Sequence, residues 1–354
     1  MYFLGLGTAA PATRYTQAQC HEALQGSAQY ERLHRRSRAL LQRLLLGDNG
    51  IATRHLALDP LTDAFDARPD VLHRRFATHA PQISQQAAEE ALRNAGCRPE
   101  DIDGVIVSTC TGYLCPGLTS YVIERLGLRP DVVALDLVGQ GCGAAIPNLR
   151  TAEALLAAHR CDKVLSICVE VCSAAFYIDD DPGVLVSACL FGDGAGAAVV
   201  GREPIAGRLC PQWKTSRSHT DPAARDVLRF EQKDGMLRNI LTPEVPQLAA
   251  EYAERVLDET LREHSLTREN IAAWVWHAGG RKVLDALQRQ IGLDARDVEH
   301  STEVLRTHAN VSSACVYFVL KATLANGARP GWWWMSSFGA GFSCHGALLD
   351  VRAA

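Results

Sequence analysis

The segment QAAEEALRNAGCRPEDIDGVIVSTCTGYLCPGLTSYVIERLGL, residues 86–128, has a near-copy later in the chain. Residues 254–293 read ERVLDETLREHSLTRENIAAWVWHAGGRKVLDALQRQIGL. Both begin as an amphipathic helix and pass through a polar turn of the form (P/R)E(D/N)I into an apolar strand. A glycine-containing turn, a second helix and a closing (L/I)GL follow in each. Self-similarity of this kind marks a duplicated supersecondary unit.

The likeness continues downstream. VVALDLVGQGCGAAIPNLRTAEALLAAHRCDKVLSICVEV (132–171) parallels EVLRTHANVSSACVYFVLKATLANGARPGWWWMSSFG (303–339). Each reads as strand, turn with a polar residue, helix and strand. Apolar runs rich in β-branched residues alternate with helix-like segments along the chain, which predicts a layered α/β fold. No Gly/Ser-rich or Pro-rich linker interrupts it. Two similar halves, 1–205 and 206–354, are expected to pack face to face, with the boundary in EPIAGRLCPQ (203–212).

Equivalent turns of such halves meet across a pseudo-twofold axis. In the first half those turns carry Cys110 and Cys142; in the second, at nearly the same spacing, His277 and Asn310. The duplication alone therefore directs Cys142, His277 and Asn310 toward one place. Cys142 lies where a strand gives way to a helix, with Pro147 about one turn in, where a missing N–H costs little. A helix N-terminus and a neighbouring imidazolium both favour thiolate, so the thiol is expected to ionise below its free value of about 8.5. A thiolate attacks thioesters and carries acyl groups. His277 and Asn310 can supply N–H donors to an oxyanion. Each residue alone also fits a plain role, a buried hydrophobe or a cap. Their coincidence at matching positions of a repeat favours chemistry.

Composition narrows the alternatives. A net charge of −4 gives no support for nucleic-acid binding. No apolar run reaches the roughly 20 residues that span a bilayer, and the start MYFLGLGTAAPATRY has no basic segment before a long apolar core. A cytoplasmic location is expected. The 12 cysteines are scattered, many inside apolar runs such as VLSICVEVC and SSACVYFVL, and read as reduced thiols. CTGYLC (Cys110, Cys115) is too widely spaced for a zinc half-site and has no matching second pair, so no metal is expected. GDGAGA (192–197) lacks both the Walker lysine and dinucleotide spacing and reads as a turn and strand needing close backbone approach. WWW (332–334) reads as packing.

The motifs GQGCGAA, WHAGGRKVLD, NVSSACVYFVL, LFGDGAGA and SFGAGF, in this order, resemble the chalcone/stilbene synthase family, the type III polyketide synthases, over nearly the whole chain. The resemblance implies a thiolase fold, with five layers α-β-α-β-α, and a homodimer. It implies decarboxylative condensation of malonyl-CoA onto a cysteine-bound starter delivered as acyl-CoA, then cyclisation to a pyrone or a resorcinol- or phloroglucinol-like ring. No metal or redox cofactor is implied. By this resemblance Cys142 is the nucleophile, and His277 and Asn310 serve decarboxylation and oxyanion support. Phe191 is a gate, Glu170 a structural carboxylate, and Phe338, Gly339 and Gly341 border the site. Cys110 and Thr111 line the starter pocket, Ala175 and Ser312 shape the cavity, and Cys115 reaches across the dimer. Asn239, in LRNILTPEVP, stands in place of a second aromatic gate. A roomy pocket and a medium or long fatty acyl starter are expected from Ala175 and Asn239.

Departures from the family pattern are Ala340 and Ala278 where proline is usual. The basic residues that meet coenzyme A phosphates also have no counterparts. RLHRRSRALLQR (32–43) offers five arginines nearby, which also fit a solvated helix face. The carrier is thus coenzyme A or an acyl carrier protein. Two other readings compete: an initiating ketoacyl-carrier-protein synthase, which shares the Cys–His–Asn set and an NGIATRH-like entry, and a non-catalytic acyl-binding partner.

Overall fold

The computed structural model describes residues 1–327 and 329–352. The first half opens with β1 (Tyr2–Ala9). A cap follows: β2 (Arg14–Thr16), α1 (Gln17–Gln25), α2 (Ala28–Arg32), α3 (Arg35–Leu46) and β3 (Thr53–His55). The half continues as α4 (Pro69–Ala95), β4 (Gly104–Ser108), α5 (Leu118–Leu126), β5 (Val133–Leu137), α6 (Ala145–Ala157), β6 (Lys163–Glu170), α7 (Pro182–Leu190) and β7 (Gly194–Gly201). The second half runs β8 (Gln212–Thr220), a hairpin β9 (Leu228–Lys233) and β10 (Met236–Leu241), α8 (Val245–Glu263), β11 (Ile271–Trp276), α9 (Arg281–Ile291), α10 (Glu299–His308), α11 (Cys315–Ala325), β12 (Gly331–Gly339) and β13 (Ser343–Val351).

The strands form one nine-stranded sheet in the order β11-β12-β13-β8-β1-β7-β6-β4-β5. In the first half β4 pairs in parallel with β5 and β6, and β7 and β1 run antiparallel. The second half repeats this plan: β11 and β12 are parallel, and β13 and β8 antiparallel. The seam is narrow. A single register pair, Tyr2 with Gln212, joins β1 to β8. Two backbone bonds flank it, Phe3 N–H to Pro211 O (2.9 Å) and Trp213 N–H to Met1 O (2.8 Å).

Layering follows from which helix faces are apolar. Helix α4 buries Leu72, Phe76, Ala80, Ile83, Ala87 and Ala91, an i, i+4, i+7 stripe, and lies on β1, β7 and β6. Small residues set the closeness of that contact: a Cβ on Gly7 would stand 2.0 Å from the Ala87 carbonyl oxygen. Helices α6 and α11 each touch strands of both half-sheets and fill the centre. Helix α8, with α9 against it, covers β8 and β13 from the outside. The result is the five-layer α-β-α-β-α thiolase arrangement. Trp276, Trp333 and Trp334 are fully buried beside Ile106, Ile146 and Leu149, and Trp332 is partly exposed under Arg352.

The two halves differ at one element. Where the first half has β5, the sequence pattern predicts a strand opening the 303–339 segment; the structure has α10 instead. Its buried residues, Ser301, Val304 and Leu305, recur at helical spacing, and charged side chains occupy the positions between and around them. No described helix is long and apolar enough to cross a membrane.

Candidate active site

Cys142 sits in the single turn Gly141–Gly143 between β5 and α6. That turn needs glycine. Gly141 has φ +55°, and a Cβ on Gly339 would stand 2.4 Å from Gln140 O and 2.7 Å from Gly143 N. The SFGAGF loop therefore rests backbone to backbone on the cysteine turn, fixed by a bond from Ser337 Oγ to Gly143 O (3.0 Å). Gly341, at φ +127°, completes the bend.

His277 follows β11 directly, and its N–H donates to Ser336 O at 2.9 Å. Its ring meets Phe338 edge-on at 6.2 Å between centroids, and Nδ1 is buried without a partner. Asn310 lies between α10 and α11. Its Nδ2 donates to Gly279 O (3.1 Å) and its Oδ1 accepts from Ser312 N–H (2.8 Å), so the amide is locked. Its backbone holds the segment around Phe191: Asn310 N–H donates to Leu190 O, and Gly192 N–H donates to Asn310 O. Ala309 (φ +62°) and Ser312 (φ +50°) take left-handed backbone without being glycine, a cost of order 1–3 kcal/mol each.

Cys142, His277, Asn310, Phe191 and Phe338 line one cavity of about 30 Å³. Phe191 also borders a second cavity, of about 60 Å³, whose lining includes Thr111, Ala175, Asn239 and Ser312. Its far wall comes from the cap: Cys20, Leu41 and Leu45. A third, open cleft of about 590 Å³ touches Cys110, Thr111, Gly141, Ala340 and Gly341. Cys115 is exposed and lines none of these three. Arg35, Arg36 and Arg43 are exposed on α3 and Arg32 at the end of α2, while Arg38 is half-buried and bonds back to Leu33 O; α3 turns Ser37, Leu41 and Leu45 inward.

A polar cluster lies behind Cys142. Ser312 Oγ donates to Cys142 Sγ at 3.2 Å and reaches Cys110 Sγ at 3.4 Å. Glu170 is fully buried and accepts from Cys110 N–H (3.1 Å), Thr111 Oγ1 (2.9 Å) and the Ser313 hydroxyl. Burial raises the Glu170 pKa, and those donors offset part of the rise. Burial, then the Glu170 carboxylate, push the Cys110 thiol well up.

One expectation is overturned here. Burial pushes Cys142 up to about 12, and the Ser312 hydroxyl relieves only part of that; burial also lowers His277 to about 4. Both shifts favour the uncharged forms, against the thiolate expected at the helix terminus. A helix terminus carries only about half a charge, too little to offset removal from water. Among the described residues no group of three or more His, Cys, Asp or Glu is placed to hold a metal ion.

Sequence reasoning missed Phe230. It stands directly opposite Asn239 in the β9–β10 hairpin and lines both the 60 Å³ and 590 Å³ cavities. A signal was present: Asp234-Gly235, both at positive φ, is a hairpin turn flanked by strand-like residues.

A duplicated layered fold that gathers a cysteine, a histidine and an asparagine from facing turns around one cavity defines a thiolase-fold acyltransferase. The FAE1/type III polyketide synthase-like family model matches residues 8–253, and the chalcone and stilbene synthase C-terminal domain matches 218–350. The chain belongs to the type III polyketide synthase family. It is 30% identical to a 3,5-dihydroxyphenylacetyl-CoA synthase of Streptomyces toyocaensis, over 93% of this chain and 84% of that one. It is 29% identical to the alpha-pyrone synthesis polyketide synthase-like Pks18 of Mycobacterium tuberculosis, over 85% and 80%. The crystal structure of PKS-I from the brown alga Ectocarpus siliculosus superposes with a TM-score of 0.88 at 26% identity, covering 99% of this chain and 98% of that one. The 1,3,6,8-tetrahydroxynaphthalene synthase of Streptomyces coelicolor shares the fold, with a TM-score of 0.88, 23% identity and full coverage of both chains.

Proposed function

We propose that Cys142 carries the acyl chain in iterative condensation with malonyl-CoA, and that His277 and Asn310 hold the reacting oxygen. The observation that carries this reading is the shared cavity of the three side chains, drawn from both halves of the duplicated fold. Cys142 sulfur attacks the thioester carbonyl of an acyl-CoA while its proton passes to His277. The tetrahedral intermediate collapses, and the CoA sulfur leaves with that proton. Malonyl-CoA then loses CO₂, and its C–C electron pair becomes an enolate. The enolate oxygen takes N–H bonds from His277 and from the second Asn310 Nδ2 hydrogen, the first being committed to Gly279 O. The enolate carbon forms a bond to the Cys142-bound carbonyl, and the C–S bond breaks with its electron pair returning to the Cys142 sulfur. The chain, two carbons longer and now a CoA thioester, is passed back to that sulfur with release of CoA for the next round.

Phe191, between the two small cavities, is the gate in this reading. Ala175 and the leucines of α3 suit an apolar starter, and the extended chain closes to a pyrone or phenolic ring. No cofactor is needed, because each step is acyl transfer or decarboxylation. Relatives named as CoA synthases support coenzyme A as carrier; an acyl carrier protein is the alternative. A homodimer in the cytoplasm completes the proposal. Exposed Tyr113 and Val138, at 70% and 57%, together with Cys115 in the same region, are the surface such a dimer would cover.

The test is product mass spectrometry. Purified protein receives malonyl-CoA and a panel of acyl- and aroyl-CoA starters, with Cys142→Ala as control. Products rising by acetate units, absent from the control, are expected. Single condensations only with carrier-protein substrates would instead indicate an initiating ketoacyl synthase.

A further inference from the structure

Asn239 is 7% exposed, and its Oδ1 is buried without any hydrogen-bond partner. Buried amides are ordinarily paired, because an orphaned acceptor keeps its full desolvation penalty. This one is also rigidly placed. Its strand neighbour Arg238, on the opposite face, is clamped by Asp179 Oδ2 (2.9 Å) and Asp181 Oδ2 (3.1 Å). Opposite Asn239 in register stands Phe230, and both line the cavity behind Phe191.

That cavity is graded. Thr111 and Ser312 are at the end next to Cys142, since Ser312 touches its sulfur. Leu41, Leu45 and Phe65 form apolar wall. A chain tethered to Cys142 has the same grading. Each extension inserts a carbonyl near the sulfur and drives the starter's tail deeper. In its enol form such a carbonyl carries an O–H that can donate to the unpaired amide oxygen.

We propose that Asn239 is a specificity-determining residue whose Oδ1 accepts a hydrogen bond from an enol O–H of the extended poly-β-keto chain, and so favours further extension over early release. This rests on the acyl-carrying role of Cys142 given above. It concerns the extended intermediate and not the starter, whose tail has no polar group for Asn239 to meet.

The experiment compares wild type with Asn239→Leu, close in shape and apolar, using hexanoyl-CoA and malonyl-CoA. Three quantities are read: Cys142 acylation by intact-protein mass, the ratio of the longest to the shortest product, and the melting temperature. The expected result is starter loading within about twofold of wild type, a raised melting temperature, and a product ratio lowered about tenfold, the effect of one lost hydrogen bond. A raised melting temperature with an unchanged ratio would overturn the proposal, leaving Asn239 a structural orphan only. Should Asn239→Leu fail to fold, Asn239→Ser decides by the same ratio. Failure of the underlying reading is separately visible, because wild type itself would then show no acylated Cys142.

Discussion

The two turns that build the site do the same topological job with opposite materials. The first-half turn, before α6, is made of glycines: Gly139 and Gly141 at positive φ, and Gly143 in backbone contact with Gly339 of the second half. The second-half turn, before α11, forces Ala309 and Ser312 into comparable backbone without glycine. The first lets another backbone come close enough to seat a thiol. The second keeps side chains where glycine would have none, and those side chains are wired: Ser312 to both thiols and Glu170, Asn310 to Gly279 and Ser312. In the proposed mechanism one half supplies the reacting atom in a plain cradle. The other holds the donors at a conformational cost.

The sharpest way to break this division is Cys142→Ala. Condensation should fall by roughly 10³-fold or more, while folding is kept, as product rate and circular dichroism would show. Asn310→Ala should lower the rate by roughly 10²- to 10³-fold, as loss of an oxyanion donor does. It should also cost about 1–3 kcal/mol in urea unfolding, because Ser312 N–H loses its acceptor. An effect on rate without an effect on stability would separate the two roles assigned to that amide. Ala175→Phe should shift the accepted starter to shorter acyl chains, read as the change in kcat/KM across a chain-length series. An unchanged preference would remove Ala175 from the chamber wall.

A titration distinguishes the halves more gently. His277 is depressed to about 4, against an ordinary 6.5. As pH falls below 6.5 the unfolded chain binds the proton first, so stability declines between pH 6.5 and 4 and levels off below. The slope is about 1.4 kcal/mol per pH unit for this group. Burial depresses His308 and His345 to about 4 as well, so His277→Gln should reduce the slope seen in a pH series of unfolding midpoints by its own share and leave theirs. The smallest effect is expected from Ala309→Gly. Its backbone (φ +62°, ψ −162°) lies in a region suited to glycine, so relief should add about 1 kcal/mol of stability.

The duplication, and with it the layers, was legible because hydrophobic period and turn residues are local properties that repeat in register. The convergence of Cys142, His277 and Asn310 was legible for the same reason. The replacement of a strand by α10 was not, because EVLRTHANV carries apolar residues that fit either period, and Ser301, the residue that extends the helical face, lies upstream of the segment compared. The raised Cys142 pKa was hidden for a different reason. It depends on how much water the assembled halves exclude, a tertiary quantity that no motif encodes. Phe230 is not legible from motifs because its place at the cavity follows from strand pairing with Asn239 across the hairpin, a tertiary relation that the family motifs do not carry.

The far wall of the 60 Å³ cavity comes from the cap that follows β1 in the first half. Leu41 and Leu45 sit on the inner face of a surface helix whose outer face carries arginines. On the proposed reading, reactivity and capacity are thus housed in separate modules. A change of depth can be written into α3 one leucine at a time, leaving the sheets, the glycine turn and the thiol untouched, so this helix is the natural place to retool the enzyme for a new starter.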